Sequence, residues 1–221
     1  MKTKLSVSIM CANLINLEHD IRIYEKTGVD YIHLDVMDST FVKNLTFGPD
    51  SSNAIKRATK IPMDIHLLVE HPSSIIRSFQ ISKGDIITVH AECKDSIMEN
   101  MSFARQQEAR FGIALNPDTT VEEISKYLPY VDVILLMLVV PGFAGGKMID
   151  GIMEKVSSTR SYLDSHGFEH IEISVDGNIN IERAKILKEK GASILVGGTA
   201  GIHIKGKDIS KTIPEFKDAI K

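Results

Sequence analysis

The stretch Val29-Asp30-Tyr31-Ile32-His33-Leu34-Asp35-Val36-Met37-Asp38 is an apolar run interrupted by an imidazole and a carboxylate. Its length and its Val and Ile content predict a buried strand. Successive side chains of a strand point to opposite faces, so His33 and Asp35 share one face. A carboxylate is rarely buried without a partner or a metal, because desolvating its charge is costly. At a strand's C-terminal end the pair is half of a metal site, a base beside its orienting partner, or a satisfied hydrogen bond in the core. The pattern around it decides.

Working outward, strand-like runs fall at 5–10, 31–36, 62–67, 86–90, 111–115, 131–139, 171–175 and 193–197. Polar segments of helical period lie between them, at 17–27, 50–59, 72–82, 94–109, 121–126, 149–165, 181–190 and near 208–220. Several of the strands are continuously apolar, as expected when both faces of a parallel sheet are covered. Gly28, Gly84, Gly167 and Gly191 punctuate the helices, and Pro72 and Pro117 sit in loops leading into them. Eight strands alternating with eight helices predict an α/β fold, a single-domain (β/α)8 TIM barrel over residues 1–221. A doubly wound open sheet is the alternative.

A barrel places its active site at the C-terminal ends of its strands. Those ends read Ser8, His33 with Asp35, His66, His90, Asn116, Met137, Asp176, and Gly198-Thr199. All but one carry a group able to bind a ligand, a proton or a metal, which favours an enzyme over a scaffold.

Composition excludes other classes. A net charge of -3 argues against a nucleic-acid partner, which would need a basic stripe. No apolar run approaches the ~20 residues of a membrane span, and the N-terminal stretch has no secretory pattern. Cys11 and Cys93 form neither a disulfide framework nor a metal spacing and read as small apolar filler. A cytoplasmic protein is expected.

Two constellations carry chemistry. His33, Asp35, His66 and Asp176 would converge on the barrel mouth, a donor set suited to one divalent ion such as zinc, manganese, iron or cobalt. Asp35 and Asp176, on opposite sides of the mouth, could take a proton from one face of a carbon and return one to the other. The second constellation is three glycine-rich turns after strands six to eight. They are Pro141-Gly142-Phe143-Ala144-Gly145-Gly146-Lys147, Asp176-Gly177-Asn178 and Gly197-Gly198-Thr199-Ala200-Gly201. Such turns let backbone N–H groups approach a phosphate closely, so a phosphorylated substrate is expected.

These residues carry a resemblance. Ser8-Ile9-Met10, His33-Leu34-Asp35-Val36-Met37-Asp38, Phe41-Val42 with Asn44, Asp64-Ile65-His66-Leu67, Met137 with Val139, Pro141-Gly142-Phe143, Val175-Asp176-Gly177 and Gly198-Thr199-Ala200 resemble the ribulose-phosphate 3-epimerase family, including its allulose-6-phosphate branch. The resemblance runs nearly the length of the chain. It implies one metal ion held by His33, Asp35, His66 and Asp176, with Asp35 and Asp176 as the acid–base pair. It also implies substrate contacts from Ser8 and His66, and a phosphate on Gly142, Phe143, Ala144, Gly145, Gly177, Asn178, Gly198 and Thr199. Met37 and Met137 either line the mouth with polarizable sulfur or belong to the core. Family members often form dimers or hexamers, so a homo-oligomer is expected.

The sequence departs from the family at Ser39, where glycine is usual, and at Lys43, where proline is. Leu68 replaces a methionine, Leu138 a threonine, Gly146 a glutamine and Asn178 a glycine. These positions are expected on the pocket rim and phosphate loops, where they would bear on sugar length. Met10-Cys11, Ala144 and Thr199-Ala200-Gly201 lean towards the hexose branch, and Thr46-Phe47-Gly48-Pro49 towards the pentose type. The pentose, ribulose 5-phosphate, is the expected substrate and allulose 6-phosphate the alternative. A decarboxylase would want a lysine near the mouth, and no strand end has one. A non-catalytic sugar-phosphate sensor would not need both carboxylates.

Blander readings cover the rest. His90 and Glu92, at the end of strand four, are expected in a core hydrogen bond, with a place behind the site's own residues as the alternative; Asn116-Pro117 is expected in a turn, and His71, His166, His170 and His203 in solvent. Lys147 reads as solvated, and the charged segment 181–190 as an outer face.

Overall fold

Eight parallel strands close a barrel in sequence order: β1 (Lys4–Ser8), β2 (Tyr31–Met37), β3 (Met63–Leu68), β4 (Ile86–His90), β5 (Arg110–Leu115), β6 (Val133–Met137), β7 (Glu172–Asp176) and β8 (Ile194–Gly197). The computed structural model describes residues 2–221. Six α-helices cover the outside: α1 (Leu17–Thr27), α2 (Pro49–Ala58), α3 (Ile97–Gln106), α4 (Met153–Ser165), α5 (Ile181–Glu189) and α6 (Ile209–Ala219). The predicted barrel is present, and each predicted strand meets an observed one.

Two of the eight expected helices are not α-helical. The segment at 72–82 forms two short 3-10 turns, Pro72–Ser74 and Ile76–Ser78. Its serines offer the chain competing local bonds: Ser74 Oγ donates to the His71 carbonyl, and the Ser73 N–H donates to the Asp95 carboxylate. The segment at 121–126 lies in a 3-10 helix, Glu122–Tyr130, that contains Pro129, whose missing N–H breaks an α-helical ladder. The start of α4 falls later than expected because Gly151 adopts a positive φ of 77° just before it.

Strand alternation sorts the side chains into two sets. Ile32, Leu34, Ile65, Leu67, Val89, Ile113 and Val175 point outward into one large core, where they meet Ile21 and Tyr24 of α1, Phe103 of α3, Leu163 of α4 and Phe216 of α6. Each fully buried Ile or Leu there contributes about 1.5–3 kcal/mol, so this shell holds the barrel closed. The alternate residues point into the barrel. Tyr31, Ile86, Val133 and Ile194 form an apolar layer of their own near the bottom. Beneath it, Lys4 Nζ lies 2.9 Å from Glu172 and Arg110 Nη2 2.5 Å from the same carboxylate, closing the N-terminal end with paired charge. Toward the mouth the interior splits. The β1–β4 wall carries buried Ser6, Ser8, His33, Asp35, Asp64, His66, Thr88 and His90, whereas the β5–β6 wall carries Ala114, Leu135 and Met137. No helix among the described residues is long and apolar enough to cross a membrane.

Candidate active site

Register places the polar groups. β2 and β3 pair so that Asp35 sits opposite His66 and His33 opposite Asp64, while Ser8 of β1 is paired with His33. Asp176 ends β7, beside Met137 of β6. His33, Asp35, His66 and Asp176 each offer one ligand atom, and these atoms all lie within 4.8 Å of one another. His33 Nε2 is 3.2 Å from Asp35 Oδ1 and 4.0 Å from Asp176 Oδ2, and His66 Nδ1 is 3.1 Å from Asp35 Oδ1. The four predicted ligands are therefore brought together. Thr46 fastens the end of β2, accepting from the Met37 N–H at 3.0 Å and donating to the Asp35 carbonyl.

Burial sets the electrostatics. Asp176 is pushed up to about 7, first by burial and then by the charge of Asp35. Burial would raise Asp35 too, but His33 and His66 outweigh it and hold that carboxyl well below the usual range. Burial opposes charge on His33, yet Asp35 and Asp64 on either side hold its proton firmly. His66 is driven down to about 4, mainly by burial, and is neutral at pH 7. Without a metal, the His33 proton does part of a cation's work between carboxylates.

The donor set fits a divalent cation. His33 Nδ1 is 2.8 Å from Asp64 Oδ2, which also accepts from Ser6 Oγ at 2.8 Å, leaving Nε2 directed at Asp35 and Asp176. His66 Nδ1 and Asp35 Oδ1 face each other at 3.1 Å, close enough for one cation to bind both.

Above the cluster the barrel mouth opens into a small cavity. Of the predicted site residues, Ser8, Asp35, Met37, Met137, Gly142, Phe143, Ala144, Gly145, Asp176, Gly177, Asn178, Gly198 and Thr199 line it. Met37 and Met137 thus face the mouth. His33 and His66 are fully buried and are not in the lining, so His66 stands below the surface that a substrate would touch. Ser8 Oγ is 3.4 Å from Asp35 Oδ2. Lys147 is exposed and outside the lining, as read from sequence.

The glycine turns are shaped for close approach. Gly177 has φ 125°, and a Cβ there would lie 2.7 Å from Val139 Cγ1. The next residue, Asn178, adopts a left-handed φ of 54°, which asparagine tolerates better than most. Asn178 Nδ2 donates to the Gly146 carbonyl at 2.7 Å, and its Oδ1 accepts from Arg183 at 2.6 Å. Asn44 Nδ2 donates to the Gly142 carbonyl at 2.7 Å, tying the loop after β2 to the loop after β6.

Several residues were assigned differently or passed over. His203 is not solvated: its Nε2 meets the Tyr24 hydroxyl at 3.0 Å. Leu138 is not on the pocket rim but buried in the outer core. Ser39, at the family's glycine position, has φ 63°. Lys43 is exposed and away from the cavity. Cys11, read as filler, lines the cavity beside Ser8, as do Met10 and Val139, whereas Leu68 lines it as expected. Asp64, the partner of His33, was missed although Asp64-Ile65-His66 repeats the alternation of His33-Leu34-Asp35. His90-Ala91-Glu92 repeats it again. His90 Nε2 is 2.9 Å from His66 Nε2, so its hydrogen bond belongs to this site rather than to an unrelated part of the core.

Buried acid–base groups at the C-terminal mouth of a closed (β/α)8 barrel, under glycine turns, are the architecture of a barrel enzyme. Solved structures of that shape agree on the fold: 3-keto-L-gulonate-6-phosphate decarboxylase from Vibrio cholerae matches with a TM-score of 0.67 at 13% identity over all of both chains. Thiamine phosphate pyrophosphorylase from Pyrococcus furiosus matches with 0.66 at 12% identity, over 98% of this chain and 95% of that one. Sequence comparison is more specific. Residues 4–202 match the ribulose-phosphate 3 epimerase family. Ribulose-phosphate 3-epimerase of Bacillus subtilis is 38% identical over 97% of this chain and 98% of its own. The chloroplastic ribulose-5-phosphate-3-epimerase of Arabidopsis thaliana is 35% identical over 96% of this chain and 75% of its own. The chain belongs to the ribulose-phosphate 3-epimerase family, isomerases that act on carbohydrates.

Proposed function

We propose that this protein inverts C3 of a ketose phosphate, interconverting ribulose 5-phosphate and xylulose 5-phosphate, with residues 1–221 acting as one catalytic domain. The observation that carries this reading is the pair Asp35 and Asp176, set on different strands around one cluster at the floor of a cavity rimmed by glycine turns. The names of the relatives supply the sugar.

The chemistry follows from the groups. The C3 proton of a ketose is acidified by the neighbouring C2 carbonyl, and its removal gives an enediolate. Asp35 takes that proton from one face of the carbon, and Asp176 delivers one to the other face. In the reverse direction the roles exchange, which suits a near-balanced equilibrium. Ser8, beside Asp35, would hold a substrate oxygen, while Met37 and Met137 would exclude water from the reacting carbon. The phosphate would rest on the N–H groups of the loops carrying Gly142–Gly145, Gly177-Asn178 and Gly198-Thr199. His33, Asp35, His66 and Asp176 would hold one divalent ion, zinc, manganese, iron or cobalt, which supplies Lewis-acid stabilisation of the negative charge that develops on the substrate oxygens.

The test is turnover of ribulose 5-phosphate and allulose 6-phosphate in parallel, before and after chelation and with each metal restored. Epimerisation of the pentose, lost on chelation and recovered with one of these ions, is expected. Faster turnover of allulose 6-phosphate would move the assignment to the hexose branch. No turnover of either, at confirmed metal content, would leave a sugar-phosphate-binding barrel.

A further inference from the structure

The two imidazoles of the cluster differ in what stands behind them. His33 is backed directly by a carboxylate, Asp64, at 2.8 Å. On the side away from Asp35, His66 meets no carboxylate directly, because the residue paired with it on β4 is Thr88. One step nearer the mouth, β4 presents His90, fully buried, with its Nε2 2.9 Å from His66 Nε2 and the two rings edge to edge, their planes 25° apart. Phe41 closes over His90 with ring centroids 4.7 Å apart. His90 Nδ1 in turn lies 3.0 Å from Glu92 Oε2. The other Glu92 oxygen accepts from the Asn116 N–H at 3.0 Å and from the Thr119 hydroxyl, so the far end of the chain is anchored to the loop after β5.

Donor and acceptor bookkeeping gives this chain a direction. An ionised carboxylate only accepts, so His90 Nδ1 carries a proton toward Glu92. A neutral imidazole has one donor and one acceptor, so His90 Nε2 accepts, and His66 Nε2 must donate to it. The remaining nitrogen of His66, Nδ1, then presents its lone pair to the cluster. We infer that Glu92 and His90 form a positioning relay that fixes the tautomer and ring orientation of His66, linking the metal cradle to the loop after β5. The inference rests on the metal-site reading above. It makes His90 and Glu92 positioning residues, since neither lines the cavity beside Asp35.

The test uses the full chain with three substitutions. His90→Phe keeps a ring and removes the acceptor, His90→Gln keeps an acceptor oxygen, and Glu92→Gln disturbs only the outer end. Zinc affinity, read by competition with a chromophoric chelator, is expected to fall about 10–100-fold in His90→Phe, with partial rescue in His90→Gln and a several-fold loss in Glu92→Gln. Long-range proton–nitrogen NMR of histidine-labelled, metal-free wild-type protein should show His66 protonated at Nε2, with that preference weakened in His90→Phe. The relay is overturned if His66 carries its proton on Nδ1 in the wild type. It is also overturned if His90→Phe and Glu92→Gln, both folded, keep wild-type zinc affinity within about twofold. Should His90→Phe fail to fold, Glu92→Gln carries the affinity test alone. A wild-type chain that binds no divalent ion would instead bring down the metal reading, and the tautomer result would still be read on the metal-free protein.

Discussion

The two walls of the mouth are built on different principles. On the β2–β4 wall, every functional side chain has a second side chain behind it: Asp64 behind His33, His90 and Glu92 behind His66, His33 and His66 around Asp35. On the β6–β8 wall the working surface is mostly backbone, exposed by Gly142, Gly145, Gly177 and Gly198, with Asp176 the one carboxylate. Charge that must act on a proton needs a fixed direction, and only a network of buried partners holds it. A phosphate carries its own charge and asks only for N–H groups that a side chain does not obstruct. Asn44 joins the two walls through the Gly142 carbonyl, while Asn178 ties the loops after β6 and β7 together within the glycine wall.

Substitutions separate the walls by size of effect. Asp35→Asn and Asp176→Asn should each cost at least about 10²–10⁴-fold in kcat, because each removes a proton carrier and one of the four groups that would hold the metal, while the phosphate grip on the glycine turns is largely kept. Steady-state kinetics of folded variants checks this, and a loss confined to KM would contradict it. On the glycine wall, Gly177→Ala should destabilise the protein by about 1–3 kcal/mol through its positive φ alone. The clash with Val139 adds to that and displaces Asp176, so activity falls with stability; denaturant melts read the first part. Asn178→Gly restores the family's residue but removes the bridge between Gly146 and Arg183. Two side-chain hydrogen bonds are lost, each about 0.5–1.5 kcal/mol, and with part of that loss reaching the phosphate loops KM is expected to rise roughly 2–10-fold with kcat nearly unchanged.

The first wall also carries a pH dependence of stability, with little effect on activity at neutral pH. Burial would raise Glu92, but bonds from His90, Thr119 and the Asn116 N–H outweigh it and hold its carboxyl down to about 2. Its folded pKa lies below the ordinary value near 4.5, so the unfolded chain binds the extra proton between the two. The stabilisation, about 1–3 kcal/mol, is fully present above pH 4.5 and is lost as pH falls toward 2. Urea melts of wild type and Glu92→Gln should differ at pH 7 and converge in acid.

The fold was legible because apolar strand-like runs alternate with polar helical segments eight times, with glycine and proline marking several of the boundaries. The two expected helices that are instead 3-10 show where that signal stops: serine bonding at 72–78 and Pro129 are local chemistry that periodicity does not weigh. At the site, i, i+2 pairing was decisive at His33 and Asp35. The same pattern at Asp64/His66 and His90/Glu92 left the partners of Asp64 and His90 open, because a lone strand cannot say which neighbour its polar face will meet. That depends on register, and register put Asp64 opposite His33 and His90 one step above His66. His203 escaped for the same reason, since its partner Tyr24 is distant in sequence.

The central claim, that Asp35 and Asp176 work opposite faces of one carbon, is tested most directly by proton NMR of the metal-loaded enzyme turning over ribulose 5-phosphate in D2O. The account predicts that C3 of the xylulose 5-phosphate formed carries deuterium, and that both epimer and exchange vanish in Asp35→Asn and Asp176→Asn. Product that retains the substrate's own C3 proton, or turnover that survives either substitution, would contradict it.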